Sequence, residues 1–170
     1  MPISAPEVLT DEHDLASFDC GKPALNAWLK TRALGNQRNG FTVVVVVHDE
    51  GRVVGYYGLS PTAVEPAVLP RKIRTGQPPN PIPCLLLGQL AMDLAYANRG
   101  VGTALVGHAL ERAVLGARFT GGRALLVRAI DEDAIGFWSR RGFLSSPSDP
   151  YLLFRSLPDI AASLKAAGGL

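Results

Sequence analysis

The apolar run Leu85-Leu86-Leu87-Gly88-Gln89-Leu90-Ala91-Met92-Asp93-Leu94 is followed almost at once by Asn98-Arg99-Gly100-Val101-Gly102-Thr103-Ala104-Leu105. This order reads as a buried strand passing through a glycine turn into a helix. The helix, from about Arg99 to Arg118, sets Val101, Leu105, Ala109, Ala113 and Ala117 four residues apart, so one face packs on a sheet. Arg123 to Ile130 then reads as a second buried strand, and such a strand, helix, strand unit pairs its strands in parallel through a right-handed crossover. Glycines at 100 and 102 let the backbone approach a ligand, and the first amides of the helix have no partner within it, so they can donate to an anion. A lone Gly-x-Gly serves equally well as a plain tight turn, so the surroundings must decide.

Upstream, Thr10 to Phe18 opens with residues suited to helix capping and predicts a short helix. Pro23 starts a clearer one, with Leu25, Trp28, Leu29 and Arg32 at helical spacing until Gly35 and Asn36. Phe41 to Val47 contains five successive valines, the pattern of a strand covered on both faces; Asp49 to Arg52 makes a hairpin turn and Val53 to Leu59 the second arm. Ser60 to Pro83 is rich in proline and carries the basic cluster Arg71-Lys72-Ile73-Arg74, which predicts a long loop, either a lid beside a site or a solvated linker. Downstream, Ala134 to Arg140 reads as a short helix opened by Asp131-Glu132-Asp133. Phe143-Leu144 and Tyr151 to Phe154 read as two final strands, and Asp159 to Ala167 as a closing helix.

A chain of 170 residues, 47% hydrophobic and 19% charged, is expected to form a single domain spanning 1–170. A net charge of +2 does not by itself announce a nucleic-acid partner. Cys20 and Cys84 have no metal-ligand spacing and no disulfide framework, and no metal is expected. Neither a basic, apolar leader nor a run of about 18 apolar residues occurs, so a cytoplasmic protein with no membrane partner is expected. His48 and His108 are poor catalytic candidates, the first beside a turn and the second off the apolar stripe. The acidic trio at 131–133 suits helix capping better than a base, and Tyr56, Tyr57 and Tyr151 read as strand residues unless one faces a cleft.

The element order resembles the GCN5-related N-acetyltransferase (GNAT) superfamily. The resemblance is carried by Leu85 to Leu94, by the turn Arg99 to Ala104, and by Ala134-Ile135-Gly136-Phe137-Trp138-Ser139-Arg140-Arg141-Gly142-Phe143. Within it the chain is most similar to the acetyltransferase toxins of type II toxin–antitoxin systems, through Phe18-Asp19-Cys20-Gly21, Trp28-Leu29, Gly51 to Tyr57 and Gly88 to Asp93. The resemblance implies an α+β (mixed α/β) fold, a twisted mixed sheet of six to seven strands flanked by helices. It implies acetyl-CoA as co-substrate, with its pyrophosphate on the amides of Arg99, Gly100, Val101, Gly102, Thr103 and Ala104. The pantetheine arm would lie along Leu90, Ala91 and Met92, with Phe137 beside the cofactor and the Met92 amide polarising the thioester carbonyl.

Two positions depart from the family. Ala97 stands where a Gln or Arg usually begins the turn, which removes a side-chain contact but leaves the amides. Trp138 stands where the toxins carry the tyrosine that protonates the departing thiolate; an indole N–H donates a hydrogen bond but is no practical proton source. Trp138 is then either a core aromatic or a residue that packs on CoA or donates to its sulfur. The resemblance further implies aminoacyl-tRNA as substrate, a homodimer, and an antitoxin with a ribbon-helix-helix part. Lys30, Arg38, Arg71, Lys72 and Arg74 are candidates to contact tRNA, or else a solvated face. An N-acetyltransferase for small amines or proteins, and a CoA-binding protein with weakened catalysis, are the alternatives.

Overall fold

The computed structural model describes residues 2–169. The valine run sets one half of the sheet. Val44 to Val47 are all buried, each contributing about 1.5–3 kcal/mol against the unfolded chain. They lie in β2 (Val43–Asp49), between the short β1 (Glu7–Val8) and β3 (Arg52–Val64), both antiparallel to it. The leucine run sets the other half: β4 (Ile82–Met92) pairs in parallel with β5 (Ala124–Arg128), and α3 (Val101–Thr120) connects them. β6 (Leu144–Ser146) and β7 (Asp149–Ser156) complete a seven-stranded mixed sheet of order β1-β2-β3-β4-β5-β7-β6. Helices α1 (Pro23–Thr31), α2 (Ala33–Arg38), α4 (Glu132–Ser139) and α5 (Leu157–Ala166) accompany it. The expected fold class is the one found.

The chain forms two compact units, one comprising the chain up to Ser60 with Gln89–Ala109, the other Pro61–Gly88 with the chain from Leu110 onward. In the first, Phe18, Leu29, Val44, Val46, Tyr56 and Ala91 share one core, with Trp28 stacked on Tyr56 at 5.8 Å between ring centroids. In the second, Leu69, Ile73, Ile82, Ala124, Leu126 and Phe154 form another.

Several boundaries differ from expectation. Thr10 to Phe18 is a series of turns rather than a helix, because its polar residues bond their own backbone: Thr10 Oγ1 accepts from the Glu12 amide at 3.3 Å and Asp14 Oδ1 from the Ala16 amide at 2.9 Å. The helix that starts at Pro23 breaks at Arg32, whose φ of −121° leaves the helical range, and resumes as α2. β3 runs five residues past Leu59, its Pro61 exposed, so the irregular segment shrinks to Glu65–Pro81 and includes a 3-10 turn at Pro66–Val68. Among the described residues no helix is long and apolar enough to cross a membrane.

Candidate active site

The end of β4 offers backbone groups to a ligand. The Asp93 amide donates to the Val54 carbonyl on β3 at 2.8 Å. Successive residues of a strand direct their amides and carbonyls to opposite edges. Met92 and Leu90 therefore direct theirs away from β3, and Ala91 directs its own toward it. The ladder between β4 and β5 spans Leu85–Leu87, while β4 continues to Met92. Of the three residues expected along the pantetheine arm, Leu90 and Met92 thus present polar backbone on the open edge. Ala91 is a buried residue of the same core cluster as Tyr56 and Val53.

Past Met92 the chain is braced by the stretch Phe18-Asp19-Cys20-Gly21. The Leu94 amide donates to the Asp19 carbonyl at 2.9 Å, and the Asp19 amide donates to Asp93 Oδ2 at 3.0 Å. The Gly21 amide and then the Asn26 side chain hold the Asp19 carboxyl below its ordinary range, through bonds of 2.9 and 3.0 Å. Phe-Asp-Cys-Gly is therefore a support for the strand end. Burial pushes both cysteine thiols up, Cys84 inside the second core and Cys20 half-buried.

At the turn itself Asn98 and Gly100 both lie in the left-handed region, at φ 62° and 78°. The first helical bond runs from the Ala104 amide to the Gly100 carbonyl at 3.1 Å, so Val101, Gly102 and Thr103 have amides with no partner inside α3. Gly102 has no such φ, and a Cβ there would meet Met92 Cγ at an ordinary contact distance of 3.4 Å. A Cβ on Gly55 would collide with Met92 Sδ and come within 2.9 Å of Val47 Cγ2. The Met92 side chain thus lies between a strand glycine and a turn glycine, and Gly55, which the sequence motif contained without revealing its purpose, leaves the room it needs. The end of β4 and the start of α3 are thus neighbours, with Gly102 beside Met92.

Phe137 and Trp138 lie on α4, whose Asp131 caps the helix by accepting from the Ala134 amide at 2.9 Å, with Glu132 and Asp133 in the first turn. The two rings stack at 4.9 Å with 8° between planes, and Phe143 meets Trp138 edge-on at 5.1 Å. Arg141 places its guanidinium 3.6 Å from the Phe137 ring centroid and donates to the Phe137 carbonyl at 2.9 Å. Trp138 is 6% exposed, so most of its surface is spent on packing. Among the described residues no buried side-chain nitrogen or oxygen lacks a hydrogen-bond partner. The indole N–H makes no such bond, and its Nε1 accordingly keeps contact with solvent.

The other tyrosines are engaged elsewhere. Tyr56 is fully buried, donates to the Leu25 carbonyl at 2.7 Å, and burial pushes its hydroxyl far up the scale. Tyr57, equally buried, bonds His108 Nδ1 at 2.9 Å. Tyr151 is exposed on β7. His48 and His13 both direct Nε2 at Glu7 Oε1, at 2.8 and 2.7 Å, while their Nδ1 atoms accept from the amides of Gly51 and Thr10 at 2.9 Å each. Those acceptors place the ring protons on Nε2, where they bond the carboxylate rather than leave a lone pair for a metal. The bond from His13 is the main cause holding the Glu7 carboxyl below its ordinary range.

Each unit carries its own basic candidates. Lys30 ends α1, and Arg38 at the end of α2 pairs with Asp11 at 3.3 Å on an exposed surface. Arg71 and Arg74 line a cavity of about 700 Å³ with Thr75 and Pro78, whereas Lys72 lines a separate one of about 360 Å³ with Arg155 and Asp159. Buried Ile73, whose carbonyl accepts from Arg123 Nε at 2.8 Å, anchors this turn.

Against known proteins, residues 7–143 match the acetyltransferase (GNAT) family. A tRNA-acetylating toxin of Mycobacterium tuberculosis is 38% identical over 159 residues, which is 94% of this chain and 95% of the relative. AtaT complexed with acetyl-methionyl-tRNAfMet is similar with a TM-score of 0.85 and 30% identity, over 96% of this chain and 99% of that one. A mutant AtaT toxin bound to the C-terminus of the antitoxin AtaR and acetyl-CoA gives a TM-score of 0.81 and 28% identity, over 97% and 99%. With the strand edge, the glycine turn and this match over most of its length, the chain belongs to the acetyltransferase (GNAT) family.

Proposed function

We propose that the chain, acting as one domain, transfers acetyl from acetyl-CoA to the α-amine of aminoacyl-tRNA and so blocks translation as the toxin of a toxin–antitoxin pair. The observation that carries this reading is the open edge of β4 at Leu90 and Met92 running directly into the unpartnered amides of the glycine turn. It is supported by 38% identity to a tRNA-acetylating toxin over nearly the whole chain. Acetyl-CoA supplies the acetyl group as a thioester, which the neutral amine attacks while the CoA sulfur departs as thiolate. The amides of Arg99 to Ala104 hold the diphosphate, and the backbone of Leu90 and Met92 lies along the pantetheine arm. The Met92 N–H donates to the thioester oxygen as negative charge develops there, a contribution of about 2.7–4 kcal/mol where such a donor has been removed in other enzymes.

Trp138 in this reading packs near the cofactor with its N–H available to sulfur, and water carries to the departing thiolate the proton that the attacking nitrogen loses as the amide forms. An alkyl thiol of pKa about 8.5 leaves tolerably without a general acid. Phosphates of tRNA are steered by Lys30, Arg38, Arg71, Lys72 and Arg74, and the protein works in the cytoplasm as a homodimer restrained by an antitoxin with a ribbon-helix-helix part. Incubation with labelled acetyl-CoA and a total aminoacyl-tRNA pool tests the proposal: an acetylated amino acid is expected, with transfer that weakens steeply as salt rises. Turnover of simple amines but of no charged tRNA would sink the toxin reading in favour of a small-amine N-acetyltransferase. Tight acetyl-CoA binding without any turnover would leave a CoA-binding protein.

A further inference from the structure

Beyond Leu87 the ladder with β5 has ended, so the last residues of β4 are braced within the sheet from the β3 side, where the Asp93 amide donates to the Val54 carbonyl. A second brace comes from outside the sheet. The Asp19 carbonyl accepts from the Leu94 amide, and the Asp19 amide donates to Asp93 Oδ2. Asp93 Oδ1 meanwhile accepts from the Ala95 amide at 2.9 Å. Gly21, in the left-handed region at φ 83°, brings the loop against the same place: a Cβ there would stand 3.4 Å from Leu94 Cδ1. This grip is only as firm as the loop that makes it, and one side chain of α1 sets that loop. Asn26 Oδ1 accepts from the Cys20 amide at 2.9 Å, and Asn26 Nδ2 donates to Asp19 Oδ1 at 3.0 Å. The same Asp19 oxygen accepts from the Gly21 amide at 2.9 Å. The loop and α1 are tied in turn to the core: buried Tyr56 donates to the Leu25 carbonyl, and Phe18 meets the Tyr56 ring edge-on at 5.6 Å. A connected path of hydrogen bonds thus runs from Asn26 through Asp19 to the two residues that follow Met92.

We propose that Asn26 and Asp19 are positioning residues for acetyl transfer: together they fix the end of β4 so that the Met92 N–H stays aimed at the thioester oxygen. The inference rests on the reading of acetyl-CoA as donor with Met92 polarising its carbonyl. Neither side chain touches the substrate or exchanges a proton. Asp19 serves through one oxygen that accepts two hydrogen bonds, and an asparagine at that position also has one such oxygen. Asn26 must both accept and donate; an aspartate there loses the donor and sets a second carboxylate against Asp19. The same exchange between oxygen and NH2 is therefore tolerated at position 19 and harmful at position 26.

Three measurements on Asn26→Ala, Asn26→Asp and Asp19→Asn test this. They are kcat for acetyl transfer to an aminoacyl-tRNA pool, or to a simple amine if the wild type prefers one; acetyl-CoA affinity by titration calorimetry; and hydrogen exchange of the Leu94 amide in the ligand-free protein. Both Asn26 variants are expected to lose about tenfold in kcat while acetyl-CoA affinity stays within about twofold of wild type, because a slightly displaced donor loses rate while the glycine turn still holds the diphosphate. Their Leu94 amide should exchange about tenfold faster as the grip on it loosens. Asp19→Asn should stay within about threefold of wild type in all three. Alanine is the strongest helix former, so Asn26→Ala keeps α1, and Asn26→Asp is an isosteric second reading. Unchanged kcat in the Asn26 variants, or an affinity that falls as far as kcat, would overturn the proposal. So would an Asp19→Asn variant as slow as Asn26→Asp, which would make the carboxylate's charge the requirement. A wild-type protein that transfers acetyl to no amine would instead remove the reading beneath the proposal, and the proposal with it.

Discussion

The stretches Leu90–Ala104 and Phe137–Trp138 are built on opposite plans. In the proposed function the first offers a ligand its backbone: the Leu90 and Met92 edge of β4 and the amides of Val101, Gly102 and Thr103, which have no partner inside α3. In the second, what is offered is a side chain, and most of that side chain is committed to packing against Phe137 and Phe143. Backbone-built recognition of this kind tolerates changes of side chain so long as no Cβ intrudes, so under that proposal Ala97 should alter little. A side-chain position stakes its chemistry on one identity, and replacing tyrosine by tryptophan there changes what the position can do.

Removing the side chain that the second stretch depends on should produce the largest effect. Trp138→Ala is expected to lower stability by about 3–5 kcal/mol, the range for emptying a buried aromatic site, measured as a shift in denaturant midpoint at constant slope. A loss below about 1 kcal/mol would mean that the indole is not chiefly a packing group, and would weaken the contrast.

The next test removes a single backbone atom group from the first stretch. An ester in place of the amide between Ala91 and Met92 deletes only the Met92 N–H, and kcat should fall by about 10²–10³-fold with acetyl-CoA affinity nearly unchanged. The same replacement one residue earlier deletes the Ala91 N–H, which faces β3. That change should cost about 1 kcal/mol of stability and leave kcat alone. Equal loss of rate at both positions would break the account of which edge does the chemistry.

How legible each stretch was in the sequence follows from how it is built. A strand, turn and helix announce themselves through apolar runs, a four-residue repeat and glycines, and all three stand where expected, although β4 begins at Ile82 and ends at Met92. Thr10 to Phe18 suits a helix by sequence yet forms turns, because the same Ser/Thr/Asp chemistry caps helices and closes turns, and only the partner amide distinguishes them. Pro61 masked the continuation of β3, since a proline on an exposed position interrupts the pattern without ending the strand. The bonds that fix Tyr96 leave no trace in the sequence, because its partners Asp49 and Arg52 stand 47 and 44 positions away. Gly55 could be seen in the motif, but not the Met92 sulfur that demands it.

A smaller effect separates two reasons for glycine within the first stretch. Gly100 has open space around it but a φ of 78°, so Gly100→Ala should cost about 1–2 kcal/mol through backbone strain alone, with a matching loss of acetyl-CoA affinity if the turn relaxes. Gly102→Ala has no such φ and meets Met92 Cγ at ordinary contact distance, so its stability should change by less than about 0.5 kcal/mol. Any activity lost in Gly102→Ala then reports on space needed by the ligand rather than by the fold. The opposite order of stabilities would show that the turn is held by packing and not by its dihedral angles.

Trp138→Tyr bears on the contrast most finely, because it restores the family's residue at the one position where identity should matter. If a general acid were limiting, the gain would be about 10²–10⁴-fold. Against that stand the burial of Trp138 and the ability of a thiol of pKa about 8.5 to leave as its anion. We therefore expect single-turnover transfer to rise less than about tenfold. The pH profile gives an independent reading. With tryptophan the rate should climb as the attacking amine loses its proton, near pH 7.7–8.0 for an ordinary α-amine, and then level off, since an indole has no proton to lose in this range. A tyrosine serving as acid must be protonated, so its contribution would fall away as pH rises through its own pKa, about 10 when unperturbed, adding a descending limb in the variant alone. A descending limb together with a gain above a hundredfold would mean that the natural tryptophan holds the enzyme well below the rate its backbone site allows. A profile that levels off as in the wild type would mean that the strand edge and the turn carry the reaction without a general acid from α4.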